Sequence, residues 1–333
     1  MVLTPGVLDL DPEAETARIV RRIREELGGR LRRRGLVLGV SGGVDSGVCA
    51  ALSARAVGPQ RVLALLMPET DSSPDSTRRG RELVRELGIG FLEVDITPTL
   101  EAIGCYRWRD EAIARVFPGY DGTWPHKLVI RGHSEGRLNH FFLVMETPEG
   151  HRKEARLPLH EYLQIVAATS FKQRTRKTLE YFHADRLNYA VVGTPNRLEY
   201  DQGFFVKLGD GAADLKPIAH LYKTQVYQLA DHLKLPGSIR DAQPTTDTYS
   251  LPQGQDEFFF ALPYHQMDLA LWAYNHGVPS EELARVLELD PGAARGIYSD
   301  IEAKRRTTSY QHLAPILMER VEGVGKQAES GDS

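Results

Sequence analysis

Five residues, Leu36-Val37-Leu38-Gly39-Val40, run directly into Ser41-Gly42-Gly43-Val44-Asp45-Ser46, and a helix-forming stretch follows from about Gly47 to Ala56. A short, wholly apolar strand suits a sheet covered on both faces, which is the condition of a parallel sheet under helices. The alternation continues with an apolar run over 61–67, a helical stretch over 76–87 and a third strand over 91–94. Strands and helices at this spacing imply βαβ units. The expected fold class is therefore α/β, a doubly wound parallel sheet with flanking helices.

Upstream, Ala17, Val20, Ile23 and Leu27 mark one face of a helix over Glu13–Leu31. The basic run Arg30–Arg34 reads as the solvated end of that helix, where cations suit the negative end of the dipole. Between Tyr106 and Tyr162 the rhythm changes. Leu138–Glu146, Pro148-Glu149-Gly150 and Arg152–Leu157 predict an inserted β-hairpin. The α/β pattern then resumes with a long helix over 163–182, a strand over 187–192 and an amphipathic helix over 221–233, before a helical C-terminal part from Pro263. One domain over 13–320 is expected, interrupted by the insert at about 106–162, with 1–12 and 323–333 flexible.

Composition excludes several function classes. A formal charge of −4 over 333 residues offers no general attraction to nucleic acid or anionic membrane. No apolar run reaches the length of a membrane span. Asp9, Asp11, Glu13 and Glu15 precede any basic cluster, the wrong order for a signal peptide. The two cysteines, Cys49 and Cys105, form no ligand-type pair. A cytoplasmic protein is expected.

The loop at 41–46 has the makings of a phosphate cradle. Gly42 and Gly43 permit a tight turn with unobstructed N–H groups, and a helix N-terminus adds its unpaired donors. Ser41 and Ser46 add hydroxyls. Asp45 repels phosphate unless a Mg²⁺ ion lies between them. A plain glycine turn with a Ser/Asp cap is the bland alternative. The hexapeptide fits neither GxxxxGK[ST] nor GxGxxG, so ordinary kinase and dehydrogenase loops are excluded.

Ser41–Ser46 resembles the PP-loop of the ATP pyrophosphatases, which cleave ATP to AMP and pyrophosphate. Within that superfamily, Gly193-Thr194-Pro195-Asn196-Arg197-Leu198-Glu199, then Gly203-Phe204-Phe205-Val206-Lys207-Leu208-Gly209-Asp210-Gly211-Ala212-Ala213-Asp214-Leu215 and Leu221-Tyr222-Lys223-Thr224-Gln225 resemble the NAD synthetases in order and spacing. The resemblance spans about Glu13 to Asn275 outside the insert. It implies ATP and Mg²⁺ as cofactors, with Asp45, Glu199, Lys223 and Asp210 as catalytic residues and Asp45 with Glu199 as metal ligands. It implies ATP contacts from Ser41, Gly42, Gly43, Val44, Ser46, Met67, Arg174 and Thr194, and substrate contacts from Lys207, Phe204, Asp214 and Thr245, with Asp247 a further candidate. Lys172, Arg174 and Arg176 on the long helix fit the same pattern, as phosphate ligands or as a solvated basic face. The resemblance further implies a homodimer. Deamido-NAD, or another carboxylate, would be adenylylated and then attacked by ammonia, supplied free or by a separate glutaminase.

Three departures bear on the acid that is amidated. Ser170 stands where the family has Asn, no aromatic precedes it at the family's offset, and Pro244–Ser250 lacks the usual text of the family's closing loop. An amide ligase for a different carboxylate is the rival. An RNA-modifying enzyme would require a basic surface, and a dead nucleotide-binding module would have no need of Asp45, Glu199 and Lys223.

Overall fold

A computed structural model describes residues 3–131, 140–242, 249–251, 262–319 and 321–322. The N-terminal elements are α1 (Pro12–Gly28), β1 (Leu36–Gly39), α2 (Val44–Val57), β2 (Val62–Leu66), α3 (Pro74–Glu86) and β3 (Gly90–Glu93). Next come α4 (Thr97–Ala102), α5 (Cys105–Val116), β4 (His126–Arg131), β5 (His140–Glu146), β6 (Arg152–Arg156), α6 (Leu159–Leu187) and β7 (Ala190–Val191). The chain continues through α7 (Arg197–Gln202), α8 (Lys223–His232), α9 (Gly237–Arg240), α10 (Tyr264–Asn275), α11 (Ser280–Val286) and α12 (Pro291–Thr308).

The main sheet is parallel with order β3-β2-β1-β7. Winding runs outward from β1 to β3, then returns to place β7 on the other side of β1. Side chains alternate across it as a strand requires. Leu36, Leu38 and Val40 enter the core shared with α1, α2 and α8, while Val37 joins Leu65, Ile96, Leu100 and Ala184 beneath α4 and α6. That two-sided burial is why β1 reads as an unbroken apolar run. No described helix is long and apolar enough to cross a membrane.

Three expectations change. The insert is a three-stranded antiparallel sheet, order β4-β5-β6, because His126–Arg131 pairs with β5 over its whole length. Charged and His flanks hid that strand. The strand expected at 187–192 shrinks to Ala190–Val191, since α6 runs on to Leu187 and ends on Asn188 in the left-handed region, φ 55°. Residues 3–8 are not a loose end: Leu3 and Leu8 are buried among Trp272, Leu283 and Ile301 of the C-terminal helices.

Gly42 fixes the turn between β1 and α2. Its φ is +80°, and a Cβ there would lie 2.1 Å from the Ser76 carbonyl oxygen, so both conformation and space demand glycine. Gly42→Ala should destabilise the fold by about 1–3 kcal/mol, the range for local backbone strain, as read by thermal unfolding. Unchanged unfolding would show that Ser76 yields freely.

In the insert, His126 is buried and its Nε2 has no partner among the described residues, while Nδ1 bonds the Trp124 carbonyl at 3.2 Å. Burial, reinforced by the Arg109 guanidinium, holds its pKa down at about 4, from 6.5. The unfolded chain therefore binds a proton that the native chain refuses. The stability is whole above pH 6.5 and lost as pH falls toward 4, by about 3 kcal/mol at most. Thermal unfolding across that window should fall for the native chain and stay flatter for His126→Phe; parallel curves would contradict this origin.

Candidate active site

A cleft opens at the carboxyl ends of β1 and β2, beside β7. This is the switch point where the winding reverses and where open α/β sheets take their ligands. It is partly open to solvent. Its walls are Val40, Ser41 and Ser46 from the β1–α2 turn, Met67, Pro68, Ser72, Ser76 and Thr77 after β2, α6, and Thr194 and Asp210 on the β7 side.

Hydroxyls hold the turn in shape. Ser46 Oγ donates to the Gly43 carbonyl at 3.0 Å and lies 3.1 Å from Ser41 Oγ, which accepts from Gly43 N–H at 3.3 Å. Helix α2 begins at Val44, earlier than expected, so Asp45 and Ser46 belong to its first turn. Gly43 supplies no side-chain cap, which leaves first-turn N–H groups available to an anion.

Beside this turn the structure gathers Asp45, Glu199 and Lys223 from three elements. Asp45 Oδ2 accepts from the Lys223 ammonium, and its Oδ1 accepts from Asn196 Nδ2 at 3.3 Å. Asn196 caps α7: its Oδ1 accepts from Glu199 N–H at 3.2 Å, and its own N–H donates to Glu199 Oε2 at 3.0 Å. Glu199 is thus both a helix-start carboxylate and a neighbour of Asp45. Burial first, then the Asp45 charge, push its pKa up to about 8. Burial of Lys223, only 2% exposed, works to lower its pKa, but the Asp45 and Glu199 charges together outweigh it and raise it.

Asp45, with the Lys223 ammonium against it, and Glu199 lie side by side, a pair of carboxyls that would suit a divalent cation. Mg²⁺ needs only one or two carboxylates beside phosphate oxygens, so Asp45 and Glu199 fit it. No cluster of three or more His, Cys, Asp or Glu side chains suited to a metal occurs among the described residues. A metal held by protein ligands alone has no site there.

Of the residues singled out in the sequence, Met67, Thr194 and Asp210 line the cleft. Asp210 Oδ1 accepts from Val206 N–H at 2.8 Å, and burial raises its pKa. The other candidates fall elsewhere. Arg174 donates to the Lys207 carbonyl at 3.3 Å, and Lys207 Nζ donates to the Tyr310 carbonyl at 2.8 Å. Asp214 accepts from Val191 N–H at 2.7 Å and so ends the sheet, and Phe204 packs on the C-terminal helices. Thr245 and Asp247 lie outside the described residues.

Helix α6 contributes more than its alternating basic motif suggests. On a helix, positions 172 and 176 are four apart and about 40° from one another, while 174 points to the opposite side. Arg176 lines the cleft, whereas Lys172 is neither there nor solvated. Lys172 is 1% exposed and bonds Glu69 at 3.0 Å and Asp71 at 2.6 Å. Arg109 joins the same Asp71 at 2.7 Å. The cleft-facing stripe is Gln173, Arg176, Lys177 and Glu180, with Lys177 Nζ 2.6 Å from Glu180 Oε2. Its i, i+3, i+4, i+7 spacing was the available signal. Asp268 was also missed: it is fully buried on α10 and accepts from Lys223 and Thr224 at the start of α8.

The sequence was compared with those of known proteins. The family described as NAD synthase matches residues 15–115 and 146–309, skipping part of the inserted sheet. An NH(3)-dependent NAD(+) synthetase of Rhizobium meliloti is 53% identical over 325 residues, covering 97% of each chain. One from Mesorhizobium japonicum is 55% identical over 312 residues, 93% of this chain and 98% of that one. Among solved structures, an NMN synthetase from Francisella tularensis superposes with a TM-score of 0.64 at 22% identity, covering 93% of this chain and all of that one. At those identities the structural likeness speaks for the fold. The family match and the rhizobial relatives go further: the chain belongs to the NAD synthase family.

Proposed function

We propose that the protein makes NAD by amidating the nicotinate carboxylate of deamido-NAD with ammonia, while ATP is cleaved to AMP and pyrophosphate. The observation that carries this reading is the Asp45–Lys223–Glu199 cluster beside the serine-glycine turn, at the sheet's switch point. Its relatives at 53% and 55% identity bear the name of that reaction over nearly their whole length.

Free carboxylate does not expel oxide under attack by ammonia, so activation comes first. A carboxylate oxygen bonds to the α-phosphorus of ATP as the bond to pyrophosphate breaks. Ammonia then bonds to the acyl carbon, AMP leaves with the shared oxygen, and a proton is released. The 41–46 turn and the α2 N-terminus bind phosphate oxygens, and Lys223 offsets charge on the departing pyrophosphate. Asp210, in the cleft, is assigned to take the proton from the attacking amine. Asp45 and Glu199 would hold Mg²⁺, which when bound neutralises phosphate charge.

Both cysteines are buried free thiols, as suits a reducing cytoplasm. A homodimer is also inferred. Leu159 and Leu163, one turn apart on α6, are 71% and 54% exposed, and sedimentation should give twice the 37.2 kDa chain mass.

Purified protein with ATP, Mg²⁺, ammonium and deamido-NAD should yield NAD and AMP in equal amounts. Asp45→Ala should lower kcat/KM by at least about a hundredfold, the scale of losing a charge-stabilising group. ATP turnover without NAD formation would overturn the substrate assignment. Glu199, with a pKa of about 8, is largely protonated at pH 7, and a cation bound to it displaces that proton. Calorimetry of Mg²⁺·ATP binding in buffers of different ionisation enthalpy should therefore show proton release at pH 7 that fades above pH 8. Binding without proton release would remove Glu199 from the metal site.

A further inference from the structure

Lys223 opens α8, and a lysine at a helix N-terminus is electrostatically misplaced, since the dipole's positive end repels it. The preceding residue, Tyr222, has no side chain that caps a helix. Gln225 satisfies the Tyr222 N–H through Oε1 at 3.0 Å, leaving the next donors of the turn in need of acceptors. They find one from a distant part of the chain. Asp268, on α10 and 0% exposed, accepts from Lys223 N–H at 3.2 Å, from Thr224 N–H at 2.7 Å and from Thr224 Oγ1 at 2.7 Å. Each of its two oxygens is engaged on the turn that carries Lys223.

A second link ties the neighbouring element to the same helical layer. Arg305 on α12 makes a two-pronged pair with Asp201 on α7, at 2.6 and 2.7 Å, and reaches Asn275 of α10 at 2.6 Å. Helix α7 carries Glu199. The C-terminal helices thus grip, through polar contacts, both short elements whose side chains converge on Asp45.

We infer that Asp268 is a positioning residue, which holds the first turn of α8 so that the Lys223 ammonium meets Asp45 and the phosphates of ATP. The inference rests on the reading of Lys223 as a catalytic group. Asp268 touches no substrate; it acts through Lys223. A buried carboxylate that receives three donors fixes both the position and the tilt of the turn, whereas apolar packing alone would leave the turn free to slide. It also supplies negative charge at the α8 N-terminus, where the dipole favours it.

Asp268→Asn keeps the shape but leaves one acceptor oxygen, turning an amide N–H toward donors. Thr224→Val removes the hydroxyl arm alone. Ile301→Ala, in the same helical core and away from the cleft, provides a variant that is destabilised without loss of positioning. With folding checked by circular dichroism, Asp268→Asn should lower kcat and kcat/KM for ATP together, by about 10–100-fold, as expected when a transition-state contact is lost. Thr224→Val should lower them less, and Ile301→Ala should lower only the unfolding temperature. In a Lys223→Met background, Asp268→Asn should add little further loss, because both act through one group.

An Asp268→Asn protein that unfolds earlier yet keeps native kcat and KM would overturn the inference and leave Asp268 purely structural. Additive losses in the Lys223→Met background would do the same. A Lys223→Met protein with native activity would instead overturn the reading of Lys223 itself.

Discussion

The ammonium of Lys223 resting on the carboxylate of Asp45 is the contact on which the other site features depend. It joins the first turn of α2 to the first turn of α8, elements separated by 178 residues of chain. Lys223 is buried and Asp45 half-buried, so the ammonium in particular does not tolerate loss of its partner: an unpartnered buried charge carries a penalty of several kcal/mol. Glu199 stands beside this pair, and burial first, then the Asp45 charge, raises its pKa to about 8. The cluster lies where the glycine turn and the helix dipole already favour phosphate. An ATP-cleaving reading rests on that placement as much as on the loop sequence.

The sheet makes this arrangement possible by its winding order. With β1 central and β7 returning on its far side, the turn after β1 and the segment after β7 face the same crevice. Asp45 comes from the first, Thr194 and Glu199 from the second. The third contribution, Lys223, comes from a helix packed on the Leu36–Leu38 face, held at its other flank by the C-terminal helices. The inserted sheet packs instead on α5 and α6, away from the phosphate turn, and the buried Lys172–Asp71–Arg109 ion pairs lie beside it. Because Ser72, one residue after Asp71, lines the cleft, these ion pairs tie the insert's helices to the rim of the cleft.

What was legible in the sequence follows from the range of the forces involved. The β1 strand, the 41–46 turn and the two-sided burial are local in origin, and apolar runs with glycine spacing announce them. Asp45, Glu199 and Lys223 were found because their segments carry an extended pattern, although a lone Glu at a helix start reads as a cap, which Glu199 also is. Arg174, Lys207 and Asp214 look equally chemical in sequence, yet their described partners include backbone carbonyls, a strand-end N–H and the Tyr181 hydroxyl. Lys172 illustrates the opposite failure: its burial is decided by Glu69 and Asp71, about a hundred residues away. Strand β4 was invisible because its pairing partner, not its own pattern, defines it. Asp268 was hidden for the same reason, since a carboxylate inside an apolar helix signals nothing until its tertiary donors are known.

The central claim is that the acid is activated on the α-phosphorus of ATP, so one carboxylate oxygen must change hands. Deamido-NAD carrying ¹⁸O in its nicotinate carboxylate, turned over with ATP and ammonia and analysed by mass spectrometry, tests this directly. The account predicts one ¹⁸O atom in each AMP and none in pyrophosphate. Unlabelled AMP, or label in pyrophosphate or inorganic phosphate, would contradict it.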